Sequence, residues 1–154
     1  MDLKIIETGD GGDAVLIGND FETIDGFQNM PYFGMFGGNP GHPTKQFLEN
    51  EKRFDYWAND LIYRNQSGIQ FNSLTEKLLN TTVLTSNTRL KIVETVKKDL
   101  KFMKDFAIVD VSVSIESVDR VGIYIKINEL SNVEQKEFVY LWDSTKAELI
   151  NQSI

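Results

Sequence analysis

The sequence predicts an α+β fold: a small antiparallel sheet packed against two to three helices, with short strands near the N-terminus and a C-terminal β-hairpin. Three observations predict it. Leu90, Val93, Val96, Leu100 and Met103 recur at three- and four-residue spacing, the period of one helix face. From Val109 the period drops to two, with Val109, Val111, Val113 and Ile115 alternating with Asp110, Ser112 and Ser114. After a turn near Val118-Asp119 the alternation resumes, Val121, Ile123, Ile125 and Ile127 against Gly122, Tyr124, Lys126 and Asn128. The helix has a stripe to bury, the hairpin has a face to bury, and the two are adjacent in the chain.

The remaining elements follow in order. Residues 3–8 read as a short strand, Gly9-Asp10-Gly11-Gly12-Asp13 as a turn, and residues 14–17 as a second strand. Gly18-Asn19-Asp20 is a compact turn signal, after which residues 21–24 return as a third strand. Asp25 or Gly26 can cap a helix through Phe27, Met30, Phe33 and Met35; Pro31 lies inside it, so the helix either starts late or kinks. Residues 34–51, with Gly37-Gly38-Asn39-Pro40-Gly41-His42-Pro43 at their centre, lack a period of their own, and connections of that length are generally functional or disordered. Phe54, Tyr56, Trp57, Leu61, Ile62 and Tyr63 form an aromatic and aliphatic cluster, and Phe71, Leu74 and Leu78 predict a short helix ending near Asn80. Ser86 is the expected N-cap of the long helix. Phe138, Tyr140 and Trp142 alternate as a third strand of the sheet, and Ser144 is expected to cap a last short helix through Ala147 and Ile150.

Residues 1–154 are expected to form a single domain: apolar residues make up 41% and charged residues 25%, an ordinary globular composition. A net charge of −7 argues against a nucleic-acid partner, which would call for a basic patch. Lysines gather between Lys91 and Lys104, but Glu94, Asp99 and Asp105 interleave with them, and Glu94 can reach Lys98 one turn on, so this reads as a solvated helix face. The absence of cysteine excludes disulfides and thiolate metal sites. No long apolar run precedes the first charges, so neither a signal peptide nor a membrane span is expected there, and a cytoplasmic origin is the simplest.

Chemistry is sparse. Glu49, Glu51, Asp55 and Asp60 put carboxylates near aromatic rings, as a glycosidase cleft would, but in no recognisable motif. His42 is the only histidine and lies between Gly41 and Pro43, which disfavours a zinc site or a catalytic dyad. Asp10, Asp13 and Asp20 lack the spacing of a calcium loop and read as turn residues. Gly34-Met35-Phe36-Gly37-Gly38 lacks the Gly-Lys-Ser/Thr ending of a phosphate loop. No cofactor is expected. Phe54, Tyr56, Trp57 and Tyr63 have two readings, core packing or an interface anchor, since tryptophan and tyrosine are enriched at interface hot spots.

The order of these features resembles the small baseplate wedge proteins of contractile-tailed phages, above all the Mu-like branch, relatives of the T-even wedge component that carries a misleading lysozyme name. Residues 18–28, Gly18-Asn19-Asp20-Phe21-Glu22-Thr23-Ile24-Asp25-Gly26-Phe27-Gln28, resemble the family's opening turn, short strand, Asp-Gly and helix. Phe33-Gly34-Met35-Phe36 sits where the family's first helix ends in an apolar segment, and Tyr56-Trp57-Ala58-Asn59-Asp60 resembles a Trp-Trp-Gly-Asp element. Phe71-Asn72-Ser73-Leu74 through Leu78-Leu79 resembles the following helix, and residues 90–128 resemble the family's helix and hairpin ending. The likeness covers residues 3–128 and leaves 129–154 as an extension. The T-even branch has a sheath-contacting Glu-Pro-Arg element where this chain has Gly37-Gly38-Asn39-Pro40-Gly41-His42-Pro43, so a sheath contact does not carry over.

The resemblance implies a non-enzymatic structural component of a phage tail baseplate, or of a prophage-derived contractile injection device, assembled in the bacterial host cytoplasm. Its partners would be other wedge or tail proteins, with no nucleic acid and no membrane, and the isolated chain would be a monomer or a weak oligomer. The candidate interface residues are Phe36, His42, Phe54, Tyr56, Trp57, Asp60 and Tyr63. The alternatives are a cell-wall hydrolase, in line with the family's lysozyme-like name, and a stand-alone protein-binding domain.

Overall fold

A computed structural model describes residues 2–7, 12–24, 27–38, 73–131 and 135–153. The strands are β1 (Asp2–Leu3), β2 (Ile5–Glu7), β3 (Gly12–Ala14), β4 (Leu16–Ile17), β5 (Asp20–Phe21), β6 (Thr23–Ile24), β7 (Ala107–Ile115), β8 (Arg120–Glu129), β9 (Gln135–Asp143) and β10 (Glu148–Ser153). The helices are α1 (Met30–Phe36), α2 (Thr75–Thr81) and α3 (Ser86–Asp99), and a 3₁₀ turn (Lys101–Asp105) joins α3 to β7. The α+β expectation is met.

Helix α3 starts one residue earlier in its capping than expected. Thr85 is the N-cap, not Ser86: its Oγ1 accepts from the Thr88 amide at 3.2 Å, and Thr88 Oγ1 accepts from the Thr85 amide at 2.7 Å. This reciprocal pair satisfies two groups that a helix start otherwise leaves open. The buried stripe is Ile92, Val96, Leu100 and Met103, with Val93 partly buried beside it. Leu90 is 57% exposed, contrary to its expected place in the stripe. It stands six residues from Val96, which is about 120° around a helix of 3.6 residues per turn. Glu94 and Lys98 make no ion pair among the described residues.

Strands β7 to β10 form an antiparallel meander in sequence order. Val111 pairs with Ile125 and Ile125 with Phe138, while Val113 pairs with Ile123 and Ile123 with Tyr140. Each row therefore lines up apolar side chains on one face, and α3 packs on that face at β7. The opposite face is polar at Asp110, Lys126 and Glu137, which are paired in register, with Lys126 Nζ 2.8 Å from Glu137 Oε1.

One expectation for the C-terminal part, the third strand at Phe138, Tyr140 and Trp142, is met, and one needs correction. The residues beyond 128 are integral to the sheet, since β9 and β10 are half of its strands and Phe138, Tyr140 and Trp142 are its largest fully buried rings. The last element is a strand, not a helix capped by Ser144. Asp143 Oδ1 accepts from the Thr145 and Lys146 amides at 2.9 and 3.2 Å, Ala147 takes φ 56°, and β10 then pairs with β9. The local residues suit a helix start, but pairing along β9 satisfies a whole row of backbone groups and overrides them.

The N-terminal strands each break at a pivot. Lys4 separates β1 from β2, Val15 separates β3 from β4, and Glu22 separates β5 from β6, so the three strands read from the sequence become six. Strand β1 pairs with β6, β2 with β3 and β4 with β5, all antiparallel, giving three arms. At their meeting point the Lys4 amide donates to Glu22 O, the Glu22 amide to Val15 O, and the Val15 amide to Lys4 O, at 2.8–3.0 Å. The Lys4 ammonium also sits 3.0 Å from Glu22 Oε1.

Helix α1 joins this module to the rest. It starts late, with Pro31 in its first turn, where a missing amide costs nothing. Asn29 just before it accepts from the Ile5 amide and donates to Leu3 O and Asp2 Oδ2. Tyr32 donates to Glu7 Oε2 at 2.8 Å. On the other side, a Cβ at Gly34 would lie 2.7 Å from Leu100 Cδ2, so any larger residue there would make the Leu100 side chain shift from the place where α1 meets the end of α3. Ser73 Oγ donates to Gly34 O at 2.8 Å and its amide to Gly38 O at 3.1 Å.

Candidate interaction surfaces

Of the seven expected interface residues, only Phe36 belongs to the described part, and it is not an exposed anchor. It ends α1 inside the core, 5% exposed, with its ring stacked on Trp142 at 5.9 Å and 10° and tilted on Tyr140 at 6.0 Å. An aromatic pair of this kind adds to burial energy, which explains an apolar helix end without a partner. His42, Phe54, Tyr56, Trp57, Asp60 and Tyr63 lie outside the described residues, as do Glu49, Glu51 and Asp55 and the segment 39–51. Gly37 and Gly38 are buried; the Gly37 amide donates to Phe33 O at 2.9 Å and closes α1.

Asp13 and Asp20, expected in turns, instead lie in strands, Asp13 paired with Ile6 in β3 and Asp20 with Ile17 in β5. Each carboxylate accepts the amide of the next residue, at 2.7 and 2.8 Å, on different strands. Among the described residues no group of three or more acidic, histidine or cysteine side chains could hold a metal ion. No helix of the described residues is long and apolar enough to cross a membrane.

A half-buried acid with a clear task is Asp99 at the end of α3. Its Oδ2 accepts from the Leu74 amide, the Thr75 amide and Thr75 Oγ1 at 2.9, 2.8 and 2.7 Å. It thus caps the start of α2 from another helix, placing negative charge at a helix N-terminus. Burial pushes its carboxyl up to about 6, against the pull of those hydrogen bonds and of Lys98. Burial likewise pushes the Tyr32 hydroxyl far up, helped by the Glu7 carboxylate it touches.

Two surfaces stand out that the sequence reading passed over. The first is the arm β4–β5. Gly18 at φ 66° is the first central residue of its two-residue turn, the place where a type II′ hairpin turn takes glycine. Leu16 and Ile17 are each 63% exposed and Phe21 is 51% exposed. Neighbours on a strand point to opposite faces, so both faces of this arm are open to solvent. The signal for it was the adjacency of two large aliphatic residues beside a tight turn, which no single covering layer can bury.

The second is an open groove of about 370 Å³ between the end of α3 and the start of β7. Leu100 and Ala107, both buried, form its floor, Ile108 lies on its wall, and Lys97, Lys101 and Lys104 surround it. Strand β7 is an edge of the sheet, paired only with β8 among the described residues. The lysines read as an interleaved charged face in the sequence, but Asp99 turns inward to α2 and Glu94 pairs with none of them. Only Asp105 remains, 4.0 Å from Lys104. No family model, curated protein or solved structure matches this chain.

Proposed function

We propose that the chain is a structural component of a phage or prophage contractile-tail baseplate, working by protein–protein assembly without catalysis. The reading rests on the order of motifs that resembles the wedge family. The observation that carries it is that the elements in that order are formed: the Gly18-Asn19 turn between β4 and β5, β6 followed by α1, then α2, α3 and the hairpin β7–β8. The half-buried acid Asp99 and the buried phenol Tyr32 serve to hold elements together, which suits a rigid body that presents surfaces to neighbours. The partners under this reading are adjacent wedge or tail proteins, met in the host cytoplasm and carried into the tail. A direct sheath contact is not part of it, because the Glu-Pro-Arg element is missing.

The test is affinity capture of the products of neighbouring tail genes by the full chain, with Trp57→Ala as the variant. Truncating a central tryptophan anchor typically costs about 2 kcal/mol or more, roughly thirtyfold in affinity. The expected result is weakened capture with an unchanged circular dichroism spectrum. An unfolded variant assigns Trp57 to the core. Failure of the wild type to capture any tail neighbour, or release of soluble fragments from purified cell walls, overturns the reading.

A further inference from the structure

The arm and the groove complement each other. The arm β4–β5 presents Leu16, Ile17 and Phe21 to solvent, with the carboxylates of Asp13 and Asp20 exposed on the adjoining strand and the arm itself. Neither carboxylate makes an ion pair among the described residues; each holds only the amide of its successor. The groove offers the reverse: an apolar floor and wall from Leu100, Ala107 and Ile108, surrounded by exposed Lys97, Lys101 and Lys104. These lysines stand out on a chain whose net charge is −7. The arm is open on both faces and the groove is open in the same molecule, so the arm is not seated in its own groove.

We propose that the arm of one copy docks into the lysine-lined groove of a second copy, head to tail. Two physical needs favour this occupant. A two-stranded hairpin with large apolar side chains on both faces is marginal by itself and gains from being covered. A groove with an apolar floor and a basic rim selects an apolar tip flanked by acids, and attraction across such a contact steers and orients the docking. The arm and the groove are different surfaces, so the contact is heterologous. A docked pair keeps one free arm and one free groove, and further copies add until a ring closes or a linear chain grows. The inference stands apart from the baseplate reading and needs no other protein.

Sedimentation velocity of the full chain over a concentration series tests it. The wild type is expected to shift from monomer to larger species with rising concentration, and less so at high salt, which screens exposed charges. Ile17→Asp removes the arm's apolar tip and Lys101→Glu reverses the groove's charge. Both positions are exposed, and circular dichroism checks that each variant is folded; Ile17→Thr and Lys101→Gln replace any that is not. Each variant alone is expected to associate at least about tenfold more weakly. An equimolar mixture of the two is expected to form dimers and nothing larger, because each variant supplies one intact surface. Asp20→Lys combined with Lys101→Glu is expected to recover association. A wild type that stays monomeric throughout assigns these surfaces to a different protein and overturns the proposal. A mixture that remains monomeric, or variants that associate like the wild type, overturns it as well.

Discussion

Along β8, Val121, Ile123, Ile125 and Ile127 are all fully buried while Lys126 between them is exposed; along the arm β4–β5, the neighbours Leu16 and Ile17 are equally exposed. Both segments are antiparallel strands of β-branched and aliphatic residues. They differ in what covers them. The meander has α1 and α3 on one face, so a two-residue period separates core from solvent. The arm has no such layer, and its side chains are apolar on both sides. Alternation is thus a record of a covering layer rather than a property of strands. An apolar strand without alternation on a free arm marks a surface still awaiting its cover.

Substitutions can break or sharpen this contrast. The largest effect is expected in the meander: Phe138→Ala in β9 should lower unfolding free energy by about 3–5 kcal/mol and Leu100→Ala beneath α1 by about 2–5 kcal/mol. Chemical denaturation measures both. A loss under about 1 kcal/mol at Phe138 would remove the residues beyond 128 from the core.

The next effect is expected where the two regions are joined through α1, α2 and α3. Burial holds the Asp99 carboxyl near 6 in the folded chain, above the 3.8 of the free group. The native state then binds more protons than the unfolded state between about pH 4 and pH 6, so this group's contribution to stability is full below that window and falls as pH rises through it. The loss is of order 3 kcal/mol at 1.36 kcal/mol per unit. Asp99→Asn should flatten that part of the pH profile; urea midpoints at pH 4 and pH 7 for both proteins give the difference. Identical slopes would show that the three donors from Leu74 and Thr75 hold the carboxylate ionised.

The smallest effect is expected on the arm. Ile17→Thr should change monomer stability by no more than about 0.5 kcal/mol, as is usual for an exposed site. A thermal melt at low concentration checks it, and a large loss would mean that the arm is packed after all.

The parts of the fold legible in the sequence are those where a period and a covering layer agree. Val109 to Ile127 could be read residue by residue, and Phe138, Tyr140 and Trp142 revealed the third strand. Local signals failed where a longer-range pairing overrode them. Thr145, Lys146, Ala147 and Glu148 suit a helix start, yet β9 has an edge to offer and the chain takes it. Leu90 fits a three-residue step from Val93 but not the direction set by Val96 and Leu100. Asp99 looked like a solvated charge because nothing near it in sequence shows that the start of α2 lies within reach. The groove was illegible for a related reason: exposure is decided by what packs nearby, and lysines read alike in either setting; the arm left one cue, Leu16 and Ile17 side by side before Gly18-Asn19. Phe36 is the converse, a ring expected to meet a partner that instead meets Trp142.

The ring of Lys4, Val15 and Glu22 has a consequence for solvent exchange. Each of these residues both donates through its amide and accepts through its carbonyl, so withdrawing any one of them breaks two of the three bonds. Their amide protons therefore share one opening event rather than three. In deuterium oxide the three should exchange with a common opening free energy, separate from that of β8 or β9. Residues 2–7 and 12–24 then behave as one cooperative unit: local fraying at the tip of the arm β4–β5 leaves the ring closed, and opening the ring releases the three arms together.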